Sequence, residues 1–401
     1  MDRSFATVSD AGEAYVREFA RMYPRERSAY GFWPFGAAYM GIHDNDGALP
    51  DYSQSSVQQR IEALNAWSAV LDSVASSVAT ENDGIDLATL RWVREAELFA
   101  LTEIRPHRRR PMHYNDTLNV SLYLRRDYAP LNDRLRAMLR HLRAIPDAMD
   151  VARTNLDFTE PISKIDLAQA RQGFRGHIYY LQKDMLDGVQ ASDDETLRRE
   201  IEEAAEVAIN AIADIVDYLS SNANRATQGG GAIGRERFLG LLKTFDLIDM
   251  SLDELRAAGQ ANLDANLALL RETAERIDPN ASLREVSDRI RENHPAWDAL
   301  LPAARDVLDS LKRHIVEHDI VSIPDPYEPI VAETLPFHRW GFASMDSPGA
   351  FEPAGSNGYY YVTSPEPDWP SSQKEQWMRR FYYASIATTS AHEAYPGHYV
   401  Q

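Results

Sequence analysis

The segment Glu195–Leu219 reads ETLRREIEEAAEVAINAIADIVDYL and carries the hydrophobic pattern that decides the fold class. Its apolar residues recur at intervals of three and four, which places them on one face of an α-helix. The same periodicity predicts amphipathic helices at Ser55–Ser76, Asp86–Leu101, Leu131–Leu142, Leu252–Ile277 and Ala303–His318. The chain is therefore predicted to be mainly α, with a large helical scaffold.

Helix starts and breaks can also be located in the sequence. Ser251–Glu254 and Ser282–Glu285 each place a glutamate three residues after a serine, the pattern of a capping box at a helix N-terminus. Breaks are predicted at Pro146, Pro161, Pro279 and the run Gly229–Gly231.

The character of the chain changes after about Ile320. Segment Ile323–Pro353 is rich in proline and aromatic residues, and Gly358–Thr363 has the composition of a strand. A helix is then predicted to run from Ser371 or Ser372 to the end of the chain. We expect a helical scaffold over 1–322 and a region with a small β element and a terminal helix over 323–401.

Composition narrows the possible functions. The 401 residues include 61 acidic and 42 basic ones, a formal charge of −19 that would repel phosphate backbones, so no nucleic acid partner is expected. No apolar run approaches the length needed to span a bilayer, and Met1–Phe5 does not resemble a secretory signal. A cytoplasmic location away from the membrane is therefore predicted. There is no cysteine, so a metal would be held by His, Asp or Glu.

The chemistry-bearing segment is Thr389–Gln401, which reads TSAHEAYPGHYVQ. A His-Glu pair on a helix with a second histidine nearby is the core of many zinc hydrolase sites. In such sites two imidazoles hold the metal, and the glutamate polarises a water and moves its proton. His392, Glu393 and His398 are the candidates here.

The spacing of the two histidines requires a break in the helix. His392 and His398 are six residues apart, which on an ideal helix is about 120° of rotation and about 9 Å of rise. Pro396 has no N–H to donate to the carbonyl of His392, and Gly397 permits unusual dihedral angles. We expect a broken turn at 394–397 that returns His398 towards His392. The alternative is an ordinary Pro-Gly helix stop with two surface histidines.

The neighbourhood of this motif resembles a known family. His392–Gln401 is similar to the signature His-Glu-x-x-Pro-Gly-His-His-x-Gln of the bacterial DUF family 885, whose members resemble helical zinc peptidases. Fainter similarity covers much of the chain, in the segments Gly41–Asp44, Leu49–Ser53, Asp127–Leu131 and Arg143–Pro146.

The resemblance implies specific roles. His392 and His398 would be ligands of one zinc ion, and Glu393 would be the general base of a hydrolase acting on peptide or peptide-like amide bonds. Family members continue beyond the motif, where a glutamate on a downstream helix is the expected third ligand. Because this sequence stops at Gln401, the site is expected to be incomplete. A second hypothesis is a catalytically inactive helical binding or scaffold protein of the same fold.

The resemblance also implies that the strand near Tyr359–Val362 lines the cleft and pairs with an extended peptide, as edge strands do. Half-buried sheet packing is the alternative role of its tyrosines. The sequence leaves the oligomeric state open.

Three weaker motifs favour structural roles. Arg313–His318 contains His-x-x-Glu-His, but it lies at a predicted helix C-terminus, where a capping or solvated role is expected. Gly229–Gly234 fits G-x-G-x-x-G without a preceding strand, which indicates a loop. His43–Gly47 lacks the distal glutamate of a calcium loop and indicates a turn.

Overall fold

The computed structural model describes residues 4–24, 37–229, 231–323, 328–339, 341–352 and 356–400. Gly230 and Gln401, and parts of the segment 323–353, lie outside the described residues. The described chain is mainly helical with one small sheet, as predicted. No helix in the described part of the chain has the length and apolar character of a membrane span.

The chain divides into two compact units. The first contains Met1–Asp249, Pro336–Trp340 and Pro348–Ser356, and the second contains Met250–Leu335, Gly341–Ser347 and Asn357–Gln401. The predicted boundary between 322 and 323 falls inside the second unit, and the division into 1–322 and 323–401 stays a prediction.

Helices form the first unit. They are α1 Val8–Met22, α2 Ala37–Met40, α3 Gln54–Ser73, α4 Glu81–Phe99, α5 Pro106–Arg109, α6 Leu122–Arg125, α7 Leu131–Asn155, α8 Lys164–Gln182, α9 Asp184–Val189, α10 Glu195–Ser221 and α11 Arg235–Phe245. Short 3-10 turns lie at Val74–Ser77, Pro111–Tyr114, Asp116–Leu118, Ala223–Arg225 and Pro336–His338, and a π-helical turn at Ala100–Ile104.

The core of the first unit is built around α10, which packs against both α7 and α8. The helix predicted from Glu195–Leu219 is confirmed as α10, and Ile201, Ala208 and Ile212 on its apolar face have no solvent exposure. Helix α7 continues through Pro146, so the predicted break there is wrong. An interior proline costs about 3 kcal/mol. Leu142, Ile145 and Met149 are buried around this proline, and the burial of each side chain stabilises the fold by roughly 1.5–3 kcal/mol. Together these contributions exceed the cost of the proline and keep the helix continuous.

The turn Pro336–His338 packs closely against α8 at Gly176. A Cβ on Gly176 would lie 2.5 Å from the carbonyl oxygen of Pro336, so only glycine permits this approach. The ring of Phe337 then stacks on His177, with centroids 4.1 Å apart, and is fully buried. A distant part of the chain thereby completes the core of the first unit.

Two weaker motifs of the first unit have the structural roles expected of them. Residues 44–47 form turns, and the ring of His43 stacks on Tyr128 with centroids 3.4 Å apart. Gly229 and Gly231 lie in the loop between the 3-10 turn Ala223–Arg225 and α11, so the loop is confirmed for the described glycines.

In its described residues, the second unit combines five helices with a three-stranded sheet. The helices are α12 Leu252–Ile277, α13 Leu283–Glu292, α14 Leu300–Glu317, α15 Ser371–Met378 and α16 Tyr383–Glu393, with a 3-10 turn at Trp297–Ala299; the strands are β1 Ile330–Glu333, β2 Ala343–Asp346 and β3 Tyr359–Val362. Both predicted capping boxes are present, at Ser251 and Ser282. Helix α12 has the predicted bounds, yet Ala274 is its one buried residue.

The sheet has the order β1-β3-β2, with β1 parallel and β2 antiparallel to β3. The strand predicted at Gly358–Thr363 is confirmed, but it is the central strand. Both of its sides are paired, with Tyr360 opposite Val331 and Met345. The prediction that it pairs with a peptide as an edge strand is therefore wrong, because strand order depends on long-range pairing that local composition does not encode.

The predicted continuous helix from Ser371 to the terminal motif is also wrong, because two helices occupy this segment. The N–H of Tyr383 donates to the carbonyl oxygen of Asn293, 3.0 Å away, instead of to a preceding turn. Phe381 fills the core at the break, with 1% exposure. Helix α16 therefore starts afresh after Tyr382 and packs on α14.

Buried histidines make the first unit sensitive to acid. Burial lowers the pKa of His177 to about 3 and, with Arg108 nearby, that of His107 to about 4. An unfolded histidine has a pKa of about 6.5. The native state therefore resists protonation that the unfolded state accepts, and the free energy of unfolding must decrease as the pH falls from about 6.5 towards these native values.

We predict that His177→Gln reduces this pH dependence by up to one proton, or about 1.4 kcal/mol per pH unit between pH 6 and 4. Urea unfolding at a series of pH values measures the slope. His314→Gln, at an exposed position in α14, is the control and should leave the slope unchanged. An unaltered slope in the His177 variant would show that this histidine is not held neutral.

Candidate metal centre

Helix α16 carries the first two residues of the predicted site near its C-terminus. Ile386 and Ser390 face the core of the second unit, with 2% and 0% exposure. His392 is exposed on the other side, and Glu393 is half-buried. The helix ends at Glu393, and Ala394, whose N–H donates to the carbonyl oxygen of Ser390, follows as its cap.

The chain reverses immediately after the helix. Pro396 has no N–H to donate to the carbonyl oxygen of His392. That oxygen instead accepts the N–H of His398 at 3.0 Å. The carbonyl of Glu393 accepts the N–H of Tyr399 at 3.2 Å. Residues beyond the break thus satisfy two carbonyls that a helix end leaves open. The peptide bond between Tyr395 and Pro396 is cis. The broken turn predicted at 394–397 is confirmed.

Gly397 is the residue that permits this reversal. A Cβ at this position would lie 1.7 Å from the carbonyl oxygen of His392 and 2.6 Å from that of Ala391. No side chain can occupy that space, because real Cβ atoms do not approach backbone oxygens so closely. The reversal therefore depends on a hydrogen atom in place of a side chain.

The reversal brings the three predicted residues together. One donor atom from each of His392, Glu393 and His398 lies within 4.8 Å of the others. The imidazole centroids of the two histidines are 4.7 Å apart and their planes are inclined at 80°. Among the described residues this is the one group of three such side chains that could hold a metal. Two imidazole nitrogens and a carboxylate form a donor set that suits zinc.

The carboxylate of Glu393 is held by the neighbouring strand. The backbone N–H of Met345, in β2, donates to Glu393 Oε2 at 3.0 Å. The pKa of Glu393 is raised because burial disfavours the charged form, against the lowering effects of His398, His392 and the Met345 N–H. A carboxylate with a raised pKa is a better proton acceptor near neutral pH.

Three further residues support the site. Ser347 Oγ donates to the carbonyl oxygen of His398 at 3.2 Å, which ties the chain after the break to the end of β2. The hydroxyl of Tyr360 lies 3.1 Å from Ser390 Oγ in the buried layer beneath the helix. Burial raises the pKa of Tyr360 to about 12, so this hydroxyl stays protonated. Neither Met345 nor Ser347 has a recognisable signal in the sequence. Met345 contributes only its backbone N–H, which does not depend on its side chain.

The inverted motif is not part of this group. Glu317 is the last residue of α14, and the Nδ1 atom of His318 lies 2.9 Å from the carbonyl oxygen of His314. His318 thus caps the helix, as its position predicts.

This chain matches one protein family in sequence and is similar in fold to solved structures. Residues 34–401 match the family described as "Bacterial protein of unknown function (DUF885)". No curated protein matches the chain.

Two solved structures are similar along 98% of this chain, each with a TM-score of 0.70. One, from Shewanella oneidensis, is 20% identical over 71% of its own chain. The other, from Colwellia psychrerythraea, is 12% identical over 72% of its own chain. Each is described as a "putative lipoprotein", the first one "of unknown function". At these identities the likeness shows the fold alone.

We predict that Gly397→Ala separates His398 from His392, because the added methyl group cannot fit against the carbonyl of His392. The affinity for Zn²⁺, measured by competition with a chromophoric chelator, should fall by about 10–100-fold. Gly259→Ala is the matched control, since a Cβ at Gly259 meets nothing within 4 Å. Equal affinities in the two variants would contradict the role given to Gly397.

Proposed function

The chain belongs to the DUF885 family of bacterial proteins of unknown function, and we propose that it is a zinc-dependent hydrolase of peptide or peptide-like amide bonds. The observation that carries the proposal is the convergence of His392, Glu393 and His398 through a backbone reversal that only glycine permits. An ordinary Pro-Gly helix end does not require the backbone to approach as closely as Gly397 approaches the carbonyl of His392.

His392 and His398 would hold the ion, and the resemblance implies a glutamate as the third ligand. Bound zinc would polarise the scissile carbonyl and lower the pKa of a coordinated water. The remaining chemistry belongs to Glu393. With Oε2 held by the Met345 N–H, its other oxygen is available to take a proton from water and return it to the leaving amine.

The strand that borders Glu393 supports a peptide-like substrate. Strand β2 is an outer strand of the sheet. The N–H of Met345 points away from β3 and donates to Glu393. The opposite side of β2 pairs with β3, as in the contact from the Thr363 N–H to the Phe342 carbonyl. An extended chain laid along this edge would pass beside the carboxylate. The substrate role expected of β3 is therefore reassigned to β2.

A catalytically inactive binding or scaffold protein of the same fold is the second candidate. It is favoured by the number of donors, because one of the three grouped residues is assigned as the base and only two histidines remain as ligands. A catalytic zinc ordinarily has three protein ligands. Elemental analysis separates the two candidates, since stoichiometric zinc that is lost in His392→Ala would contradict a metal-free scaffold.

The location of the protein is a separate question. The cytoplasmic location remains a prediction, and a location at a membrane surface is the competing proposal, because two proteins of similar fold are described as a "putative lipoprotein".

We predict that Glu393→Gln, made in the full-length protein, retains zinc but loses amide hydrolysis by about 10²–10⁴-fold, because the amide cannot accept the proton. Cleavage of a fluorogenic peptide mixture and metal content are measured together. Glu317→Gln, at an exposed position, is the control and should behave as the wild type. Undiminished hydrolysis in the Glu393 variant would refute the assignment of the base.

Met345→Pro tests the contact between β2 and the carboxylate. Proline removes the N–H that Glu393 accepts without removing a hydrogen bond of the β2–β3 ladder, because that N–H faces away from β3. Hydrolysis should fall by about 10–100-fold with zinc retained. Met345→Ala keeps the N–H and should remain close to the wild type; a similar loss in both variants would assign the effect to the side chain.

A further inference from the structure

A cavity in the first unit lies apart from the metal centre in sequence and is lined by arginine, glycine and apolar residues. We propose that it binds a small molecule that carries an oxyanion head group, a carboxylate or a phosphate, on a short apolar body. The cavity has a volume of about 340 Å³, within the range of small-molecule sites.

Arg109 supplies the first cationic group of the cavity. Its side chain is only 11% exposed, and its Nη1 atom is buried without a hydrogen-bond partner among the described residues. Its nearest acidic partner, Glu160, lies 3.8 Å from Nε and is shared with Arg105, which approaches the same carboxylate to 2.5 Å. The guanidinium of Arg109 thus has a buried donor available for a further acceptor.

Arg110 and Asp166 are the other charged residues that line the cavity. Arg110 Nε lies 3.7 Å from Asp166 Oδ1, while the second oxygen of Asp166 accepts a hydrogen bond from Ser163 at 3.1 Å. Asp166 is the one carboxylate among the described lining residues. Two of the described lining residues are arginines, Arg109 and Arg110, against the single carboxylate of Asp166, in a chain whose formal charge is −19. That local surplus favours an anion.

The remaining walls suit a compact ligand. The loop that carries Gly229 and Gly231 is anchored beside the start of α8, because Thr227 donates to the carbonyl of Ile162 and accepts the N–H of Lys164. Ile104 and Ile233 supply apolar surface. A guanidinium group presents parallel N–H donors that match two oxygens of a carboxylate or phosphate. The apolar residues would then contact the body of the ligand.

The test uses benzoate and phenyl phosphate as charged probes, and benzamide as the neutral counterpart of benzoate. Isothermal titration at constant ionic strength should show saturable binding of at least one charged probe and none of benzamide. Arg109→Gln should weaken that binding by about tenfold or more. Arg108→Gln is the matched control from the same arginine run; Arg108 pairs with Asp157 and Thr159 and does not line the cavity, so binding should stay within about twofold.

A second measurement on the wild type covers the case in which the Arg109 variant does not fold. Phenylglyoxal modification, followed by mass spectrometry, should be slowed at Arg109 by the charged probe and unchanged at Arg108. Preferential binding of benzoate would assign a carboxylate ligand, and preference for phenyl phosphate a phosphate ligand. Absence of binding by both charged probes, equal binding of benzamide, or equal protection of the two arginines would overturn the proposal and leave these arginines a purely structural role.

Discussion

The close approach of Gly397 to the carbonyl of His392 is the constraint on which the candidate metal centre depends. It allows the N–H of His398 to reach that carbonyl, and the same reversal brings Tyr399 to the carbonyl of Glu393. Two backbone hydrogen bonds therefore determine the separation of two imidazoles that a continuous helix would keep about 9 Å apart along its axis. The site is built from backbone geometry first and from side-chain chemistry second.

Much of the helical architecture follows from local pattern. Hydrophobic periodicity predicted α10 and α12 well, and two serine–glutamate pairs located the starts of α12 and α13. The errors occurred where tertiary contacts outweigh local preference. Helix α7 runs through Pro146 because its flanking residues are buried, and the helix expected from Ser371 is interrupted because Tyr383 bonds to Asn293. Neither contact can be inferred from the residues nearby in sequence.

The candidate site divides in the same way. His392, Glu393 and His398 were predictable because their chemistry depends on residue type, and Pro396 and Gly397 indicated how the spacing is resolved. The support from β2 was not predictable. Any residue except proline offers the N–H that Met345 donates to Glu393, so the contact leaves no trace in composition. The central position of β3 likewise depends on pairing between segments far apart in the chain.

The insertion of Pro336–His338 against α8 has a consequence for biosynthesis. Phe337, stacked on His177, belongs to the core of the first unit, although the main segment of that unit ends at Asp249. On the ribosome, the helices up to α11 emerge before this aromatic side chain has been polymerised. The first unit therefore keeps part of its core open until residues 336–340 have emerged from the ribosome, by which time α12–α14 have emerged as well. Its maturation is tied to the elongation of the whole polypeptide.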